Sequence, residues 1–208
     1  MHQEREHIAR ALFFAAVLLL TGCATPPKGE VVIRPAPPRQ ATHQVVGEAI
    51  VASLGGAAVT VRWLAATGVE QYFASKPGLV FPWPEDIWKA SPPTVFFLRV
   101  RNQTPEEVQF DPTLAALVTQ DGGRERPVSY EEMYQRLEGT EGSGARLQSL
   151  QATLVSRFVV IPSGSQREGL LVFPTVGPEA KHLLLEFASF FVGGRNVSGL
   201  FEFQVLRE

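Results

Sequence analysis

The first candidate for chemistry is Cys23, the single cysteine of the chain. It follows an apolar run over residues 11–20, and the small residues Thr21 and Gly22 precede it. An exposed thiol is the nucleophile available at this place for a lipid donor. Because no second cysteine exists, modification of Cys23 would leave no thiol for a disulfide, a thiolate nucleophile or a cysteine-ligated metal.

The residues before Cys23 have the organisation of a secretory signal peptide. Residues 1–10 are polar and carry Arg5 and Arg10, and residues 11–20 are apolar without interruption. A basic flank, a short apolar region and a small-residue cleavage site are typical of such peptides. The apolar run is well below the ~20 residues of a membrane-spanning helix. We therefore predict a signal peptide over residues 1–22.

The four residues Leu20-Thr21-Gly22-Cys23 resemble the lipobox of bacterial lipoproteins. This resemblance implies that Leu20, Thr21 and Gly22 are recognised by the signal peptidase, that cleavage falls before Cys23, and that its thiol carries a covalent lipid. The protein would then be anchored by lipid in the bacterial cell envelope. Ala24, where an Asp would favour retention in the inner membrane, implies the outer membrane and a domain that faces the periplasm.

Other groups that could do chemistry are few. After cleavage only His43 and His182 remain, which argues against a histidine-based triad or a multi-histidine metal site. The neighbouring pairs Glu106-Glu107 and Glu131-Glu132 diverge on a strand or helix, although a carboxylate pair from distant positions stays open. We expect no enzyme, no catalytic residue, no cofactor and no metal.

One stretch suits partner binding. Residues 81–88 place Phe81, Trp83 and Trp88 in a proline-rich segment, and aromatic anchors on a stiff loop bind at low entropic cost. The alternative is that Trp83 and Trp88 fold back as a lid over one end of the domain. A second candidate is a helical insertion over residues 129–156, whose alternative role is to cover an edge strand.

Composition limits the class of partner. The formal net charge is −2, 45% of the residues are hydrophobic, and the basic residues are scattered along the sequence. A near-neutral chain without a basic cluster lacks the electrostatic footprint of a nucleic-acid-binding protein. We predict no nucleic acid, and partners that are the membrane, through the lipid, and another envelope protein.

Domain boundaries follow from proline content. Residues 23–43 are proline-rich and predict an extended tether, with the open alternative that Val31–Ile33 pairs as an edge strand. Residues 44–208 would form one domain.

Strands dominate that domain. In the stretch 94–102, Phe96, Leu98 and Val100 alternate with Phe97, Arg99 and Arg101, which is the pattern of a half-buried strand. Ser129 and Glu132 form a capping box for a helix over 130–138, and a second helix is predicted at about 145–155. Further strands are predicted at 45–54, 58–64, 107–110, 114–120, 158–161, 168–173, 183–192 and 200–206, with a loop over 77–93. For 45–54 a short helix is the alternative, and the turn at Gly55-Gly56 favours a strand.

The order of Phe96–Asn102, Phe110-Asp111-Pro112, Asp121-Gly122, Pro162-Ser163-Gly164 and Glu168–Phe173 resembles the immunoglobulin-like (telokin-like) sandwich domains of unknown function in bacterial secreted lipoproteins. The resemblance covers about residues 94–206. It implies a mainly β, immunoglobulin-like antiparallel β-sandwich with a short helical insertion, and it implies no activity.

The sequence thus predicts a non-enzymatic, lipid-anchored envelope protein whose sandwich is a protein-binding or structural module. Two alternatives stay open. One is an accessory lipoprotein for assembly or secretion of an envelope complex, and the other is a glycan-binding module or hydrolase.

Overall fold

The computed structural model describes residues 31–207, apart from the side chains of residues 87 and 90. The helices are α1 (Ala66–Ala74), α2 (Glu85–Ala90), α3 (Tyr130–Leu137) and α4 (Ser143–Thr153), with a 3-10 turn at Pro112–Leu114. The strands are β1 (Val31–Pro35), β2 (His43–Val46), β3 (Ala49–Leu54), β4 (Ala57–Leu64), β5 (Thr94–Arg101), β6 (Val108–Phe110), β7 (Ala115–Thr119), β8 (Arg124–Glu125), β9 (Val159–Ile161), β10 (Gln166–Phe173), β11 (His182–Phe187), β12 (Phe190–Val192), β13 (Arg195–Asn196) and β14 (Gly199–Arg207).

The strands form three antiparallel sheets. Sheet A has the order β1-β14-β11-β7-β8, sheet B the order β10-β5-β4-β3-β2, and sheet C the order β13-β12-β6-β9. The prediction of a mainly β chain built as an antiparallel sandwich is confirmed.

The core lies between the inner faces of the sheets. Phe96 of β5 packs on Phe203 of β14 with ring centroids 5.0 Å apart, and Phe110 of β6 packs on Phe187 of β11 at 4.8 Å. Each of these rings is at most 1% exposed. Burial of one such side chain stabilises the fold by about 1.5–3 kcal/mol. The alternation of apolar residues along β5 and β14 is therefore what joins sheet A to sheet B.

A second apolar cluster lies on the outer face of sheet B. Leu64, Phe97, Leu170 and Val172 point away from the sandwich core and pack with residues of the four helices, such as Val69, Phe73, Met133, Leu137 and Leu150. The capping box is present: Ser129 Oγ accepts from Glu132 N, and Ser129 N donates to Glu132 Oε2. Helices α3 and α4 match the predicted insertion, and they cover part of this face.

The approach of the insertion to sheet B requires a glycine. A Cβ atom added at Gly169 of β10 would lie 2.5 Å from the carbonyl oxygen of Thr153, and Val155 N donates to Leu170 O at 3.0 Å. The segment after α4 thus runs along β10, because residue 169 carries no side chain.

Part of the predicted tether belongs to the sandwich. β1 pairs with the last part of β14, from Val31 opposite Arg207 to Pro35 opposite Phe203, and Ile33 is only 4% exposed. Ala36 N donates to Glu202 O at 2.9 Å. The edge-strand alternative for Val31–Ile33 is the arrangement in the structure, because an apolar Ile33 gains burial by closing the edge of sheet A.

Three boundaries differ from the sequence predictions. The strand predicted over 45–54 is β2 and β3, separated by a turn in which Gly47 has a φ of 59°. The loop predicted over 77–93 contains α2, and the strand predicted over 183–192 breaks after Phe187 so that β12 pairs with β6 of sheet C. A change of sheet within an apolar stretch leaves no trace in the alternation of residues.

Candidate functional site

The predicted lipidation site, Cys23, and its recognition residues Leu20, Thr21 and Gly22 lie outside the described residues. Their roles stay predictions.

The predicted partner-binding residues are largely in the interior. Trp83 is 4% exposed, Trp88 is 8% exposed, and Phe81 is half-buried. Their rings form one cluster, with centroid distances of 5.1 Å for Trp83–Trp88 and 5.0 Å for Phe81–Trp88, and Phe73 of α1 packs on Trp83 at 6.0 Å. The two indoles fold back, as in the alternative, but they lie on the outer face of sheet B and not over an open end of the sandwich. Contact of these rings with a partner stays a prediction. The two indoles expose little surface for such a contact.

A pocket of about 200 Å³ adjoins this cluster. Trp83, Met133 and Leu137 contribute to its lining, and Ser91 and Thr175 lie at its rim. The two hydroxyls are bonded to each other at 2.7 Å, and Thr175 also donates to Pro92 O at 2.8 Å. These two hydroxyls are therefore used internally, and the charged side chain of the lining is that of Arg136.

A different surface brings charged side chains together. The outward-pointing positions of β4 and β5 beyond the helical layer carry Arg62, Arg99 and Arg101, and we call these three residues the arginine face. Antiparallel pairing places Arg99 opposite Thr60, Arg101 opposite Ala58 and Arg62 opposite Phe97. All three arginines are exposed. The small or hydroxylated neighbours Ala58 and Thr60 leave room for the side chains of Arg101 and Arg99.

Glu168 of β10 is the carboxylate that bonds to this surface. Its Oε2 accepts from Nε and Nη2 of Arg99 at 3.1 and 2.9 Å, and its Oε1 accepts from Nζ of Lys76 at 3.3 Å. Partial burial alone would raise the pKa of Glu168, but the hydrogen bonds from Arg99 and Lys76 outweigh it and hold that pKa below its usual value. The carboxylate is therefore committed to two cations.

Aromatic rings support the same surface. The guanidinium carbons of Arg62 and Arg99 lie 5.9 and 5.3 Å from the ring centroid of Phe97, and Nζ of Lys76 lies 4.8 Å from that of Tyr72. Such contacts are worth about 0.5–1 kcal/mol at exposed sites. Burial, and secondarily the charge of Glu168, raises the pKa of Tyr72 to about 12, so its phenol is neutral at physiological pH. These rings fix the positions of the cations.

The arginine face has an excess of positive charge. Together with Lys76 it carries four cations against one bonded carboxylate, and no described carboxylate lies within 4 Å of the guanidinium of Arg62 or Arg101. Exposed guanidinium groups with free donors bind carboxylates on another molecule. The sequence analysis missed this site, although the alternation Phe97, Arg99, Arg101 had already placed two of its members on the face opposite Phe96 and Leu98.

The outer face of sheet A is different. Glu202 of β14 faces Arg39 at 3.3 Å, and Glu186 of β11 faces Arg124 at 2.7 Å. Here each of the two carboxylates has its own cation.

The remaining groups that the sequence analysis considered are the potential metal ligands and the two histidines. Within residues 31–207 no group of three His, Cys, Asp or Glu side chains is placed to hold a metal ion. His43 is 6% exposed and stacks at 5.4 Å on Phe201, and its burial holds its pKa below the usual value. His182 is exposed at the start of β11.

Comparison with known proteins identifies no relative: no protein-family model, no curated protein and no solved structure matches the chain. Within the part of the chain that the structure describes, no helix is both long enough and apolar enough to cross a membrane.

Proposed function

We propose that this protein is a lipid-anchored lipoprotein of the bacterial cell envelope, most simply of the outer membrane facing the periplasm, whose β-sandwich binds another envelope protein through the arginine face. The observation that carries the binding proposal is the presence of Arg62 and Arg101 on an open sheet surface without a carboxylate partner within 4 Å among the described residues. The proposed role is binding rather than catalysis.

The position of the arginine face favours a protein over the anchoring membrane as its partner. Val31, the first residue of β1, pairs with Arg207, whose Nη2 donates to the carbonyl oxygen of Gly177. The residue before Gly177, Val176, donates its backbone N–H to Oγ1 of Thr94, the first residue of β5. The end of the sandwich nearest to Cys23 along the chain is therefore the end at which β5 begins. Arg101 ends β5, about 23 Å further along at about 3.3 Å per residue.

The proposed anchor joins the chain at the same end. Only residues 24–30 separate Cys23 from β1, and seven fully extended residues span at most about 25 Å. A lipid on Cys23 would therefore attach at the Val31 end of the sandwich, and Arg101 lies at the other end. The predicted partner has an acidic surface, since guanidinium groups select carboxylates by charge and by paired hydrogen bonds.

Crosslinking in cells followed by mass spectrometry tests the binding proposal. We expect one dominant crosslinked protein with the wild type and its loss in Arg62→Glu/Arg101→Glu. The matched control is Arg39→Glu/Arg195→Glu, which reverses two exposed arginines elsewhere and should keep the partner. An unchanged profile in the first variant would overturn the assignment of the arginine face.

Membrane fractionation with mass measurement tests the anchor separately. The mature wild type should begin at Cys23 and carry the mass of a diacylglycerol, and Cys23→Ser should lack that added mass. A membrane-bound wild-type chain that begins elsewhere or carries no lipid mass on Cys23 would contradict lipid anchoring. A role as an assembly or secretion accessory, or in glycan binding, would have to use surfaces other than the buried indoles.

A further inference from the structure

A second pocket lies between the end of α4 and the strands β9 and β10. Its volume is about 240 Å³. Its lining has a polar part and an apolar part. The polar side chains are Tyr130, Gln151, Ser156, Arg157 and Arg167, and the apolar side chains are Leu154, Val155, Phe158 and Val159.

The polar side chains of this pocket are free to bind a ligand. None of the five makes a hydrogen bond or an ion pair with another residue in the described chain, and Arg157 and Arg167 are exposed. The two guanidinium groups, the phenol, the amide and the hydroxyl can all donate hydrogen bonds. Gln151, Arg157 and Arg167 are exposed, and Tyr130 and Ser156 are partly buried. Their donors are therefore hydrated, and a ligand with acceptor oxygens can replace that water.

No carboxylate of residues 31–207 lines the pocket. Its lining contains no Asp or Glu. Glu168 follows Arg167 in β10, but its two oxygens are bonded to Arg99 and Lys76. Glu132 of α3 pairs with Arg126 and closes the capping box of its own helix. The charge of Arg157 and Arg167 therefore faces solvent and favours an anionic ligand.

The apolar part of the lining narrows the class of anion. Phe158 is 55% exposed beside the pocket, and the next outward residue, Val160, is 46% exposed. Leu154 is buried at the floor. An inorganic anion would leave this surface in water, whereas a carboxylate attached to an apolar group would cover it and gain from its burial.

We infer that this pocket binds an organic carboxylate with an adjoining apolar group, through Arg157 and Arg167, with Phe158 against the apolar part. Guanidinium groups bind a planar carboxylate through two parallel hydrogen bonds, which explains the preference for this anion. A free apolar acid and the C-terminal residue of a peptide share this chemistry. The inference does not depend on the lipid anchor or on the arginine face.

The test is a titration of the full ¹⁵N-labelled chain in detergent micelles, followed by the Nε–Hε resonances of its arginines. The probes are phenylacetate, N-acetylphenylalanine, N-acetylphenylalanine amide and inorganic phosphate. We expect both carboxylates to shift the resonances of Arg157 and Arg167 saturably, and the amide and phosphate to bind at least tenfold more weakly. Tighter binding of N-acetylphenylalanine than of phenylacetate would identify a peptide C-terminus as the ligand, and equal binding a free acid.

Variants complete the test. Arg157→Gln/Arg167→Gln should weaken binding of N-acetylphenylalanine at least tenfold, and Arg39→Gln/Arg195→Gln should leave it unchanged. Since the substituted side chains are exposed, the backbone amide spectrum should show an intact fold. Equal shifts with the acid and its amide, non-saturating shifts, or phosphate bound as tightly as the carboxylates would each overturn the inference, without bearing on the crosslinking test of the arginine face.

Discussion

The outer faces of the two large sheets differ in how their charged side chains are paired. Sheet A presents Glu186 and Glu202, each with its own arginine, to solvent. Sheet B is covered by helices at the end where β5 begins and carries the arginine face at the other end, where one carboxylate serves two cations. Balanced surface pairs contribute little stability or specificity. An unbalanced patch on one sheet is a feature that a partner can select.

The covered half of sheet B has the character of a core. Phe97 is 9% exposed although it points away from the sandwich interior, because α1 and the aromatic cluster lie over it. Leu184 on the outer face of sheet A is only partly buried. The helical layer therefore belongs to the folding unit, and three changes test the contrast between the two outer faces.

The largest expected effect is from Trp83→Ala. Removing a ring that is 4% exposed and packs on Phe73 and Trp88 should lower the free energy of unfolding by about 3–5 kcal/mol. Leu184→Ala, on the outer face of sheet A, should cost about 1 kcal/mol. Urea denaturation followed by circular dichroism measures both. Equal losses in the two variants would mean that the helical layer is not part of the cooperative core.

A smaller loss of stability is expected from Glu168→Gln. Loss of the carboxylate leaves Arg99 and Lys76 unpaired and should reduce stability by up to about 1 kcal/mol, since the group is 32% exposed. It should also lower the pKa of Tyr72 from about 12, because the phenolate would no longer be repelled by Glu168. Absorbance of the phenolate as a function of pH measures this shift. Glu202→Gln on sheet A serves as the control, and a pKa of Tyr72 that is the same in both variants would contradict the assignment.

The smallest expected effect on stability is the pH dependence due to His43. This residue of β2 in sheet B contacts Phe201 of sheet A. Burial is the main reason that its pKa in the folded state is below 6.5, while the carbonyl of Leu200 and the charge of Glu202 act in the opposite direction. The unfolded chain then binds more protons than the folded one just below pH 6.5. Stability should be full above pH 6.5 and should fall as the pH decreases from 6.5 toward the folded pKa.

Comparison of the wild type with His43→Gln isolates the contribution of His43 to the pH dependence of stability. The variant should show a flatter stability profile between pH 6.5 and pH 5 than the wild type, measured as the midpoint of urea denaturation. Identical profiles would mean that His43 titrates alike in the folded and unfolded chains.

Local physical chemistry explains which features were predictable. The alternation of Phe96, Leu98 and Val100 determines a strand with one buried face, and the Ser129–Glu132 box begins a helix with bonds made within four residues. From the sequence, Asn102 was predicted only as the end of a strand. In the structure it is buried, and its Nδ2 donates to the carbonyls of Glu106 and Ile161, which joins the loop after β5 to the end of β9. The partners of such a side chain are distant in sequence, so only the fold reveals them.

The sequence by itself determined the mainly β class, the helical insertion and the motif at Cys23, because each depends on the order of neighbouring residues. The tertiary structure decided that Trp83 and Trp88 are covered, that Val31–Pro35 is a strand of the sandwich, and that basic residues scattered along the chain gather on one surface. Antiparallel pairing places Arg62, Arg99 and Glu168 on neighbouring strands. Charge interactions depend on distance in space, and the register of the sheet sets that distance.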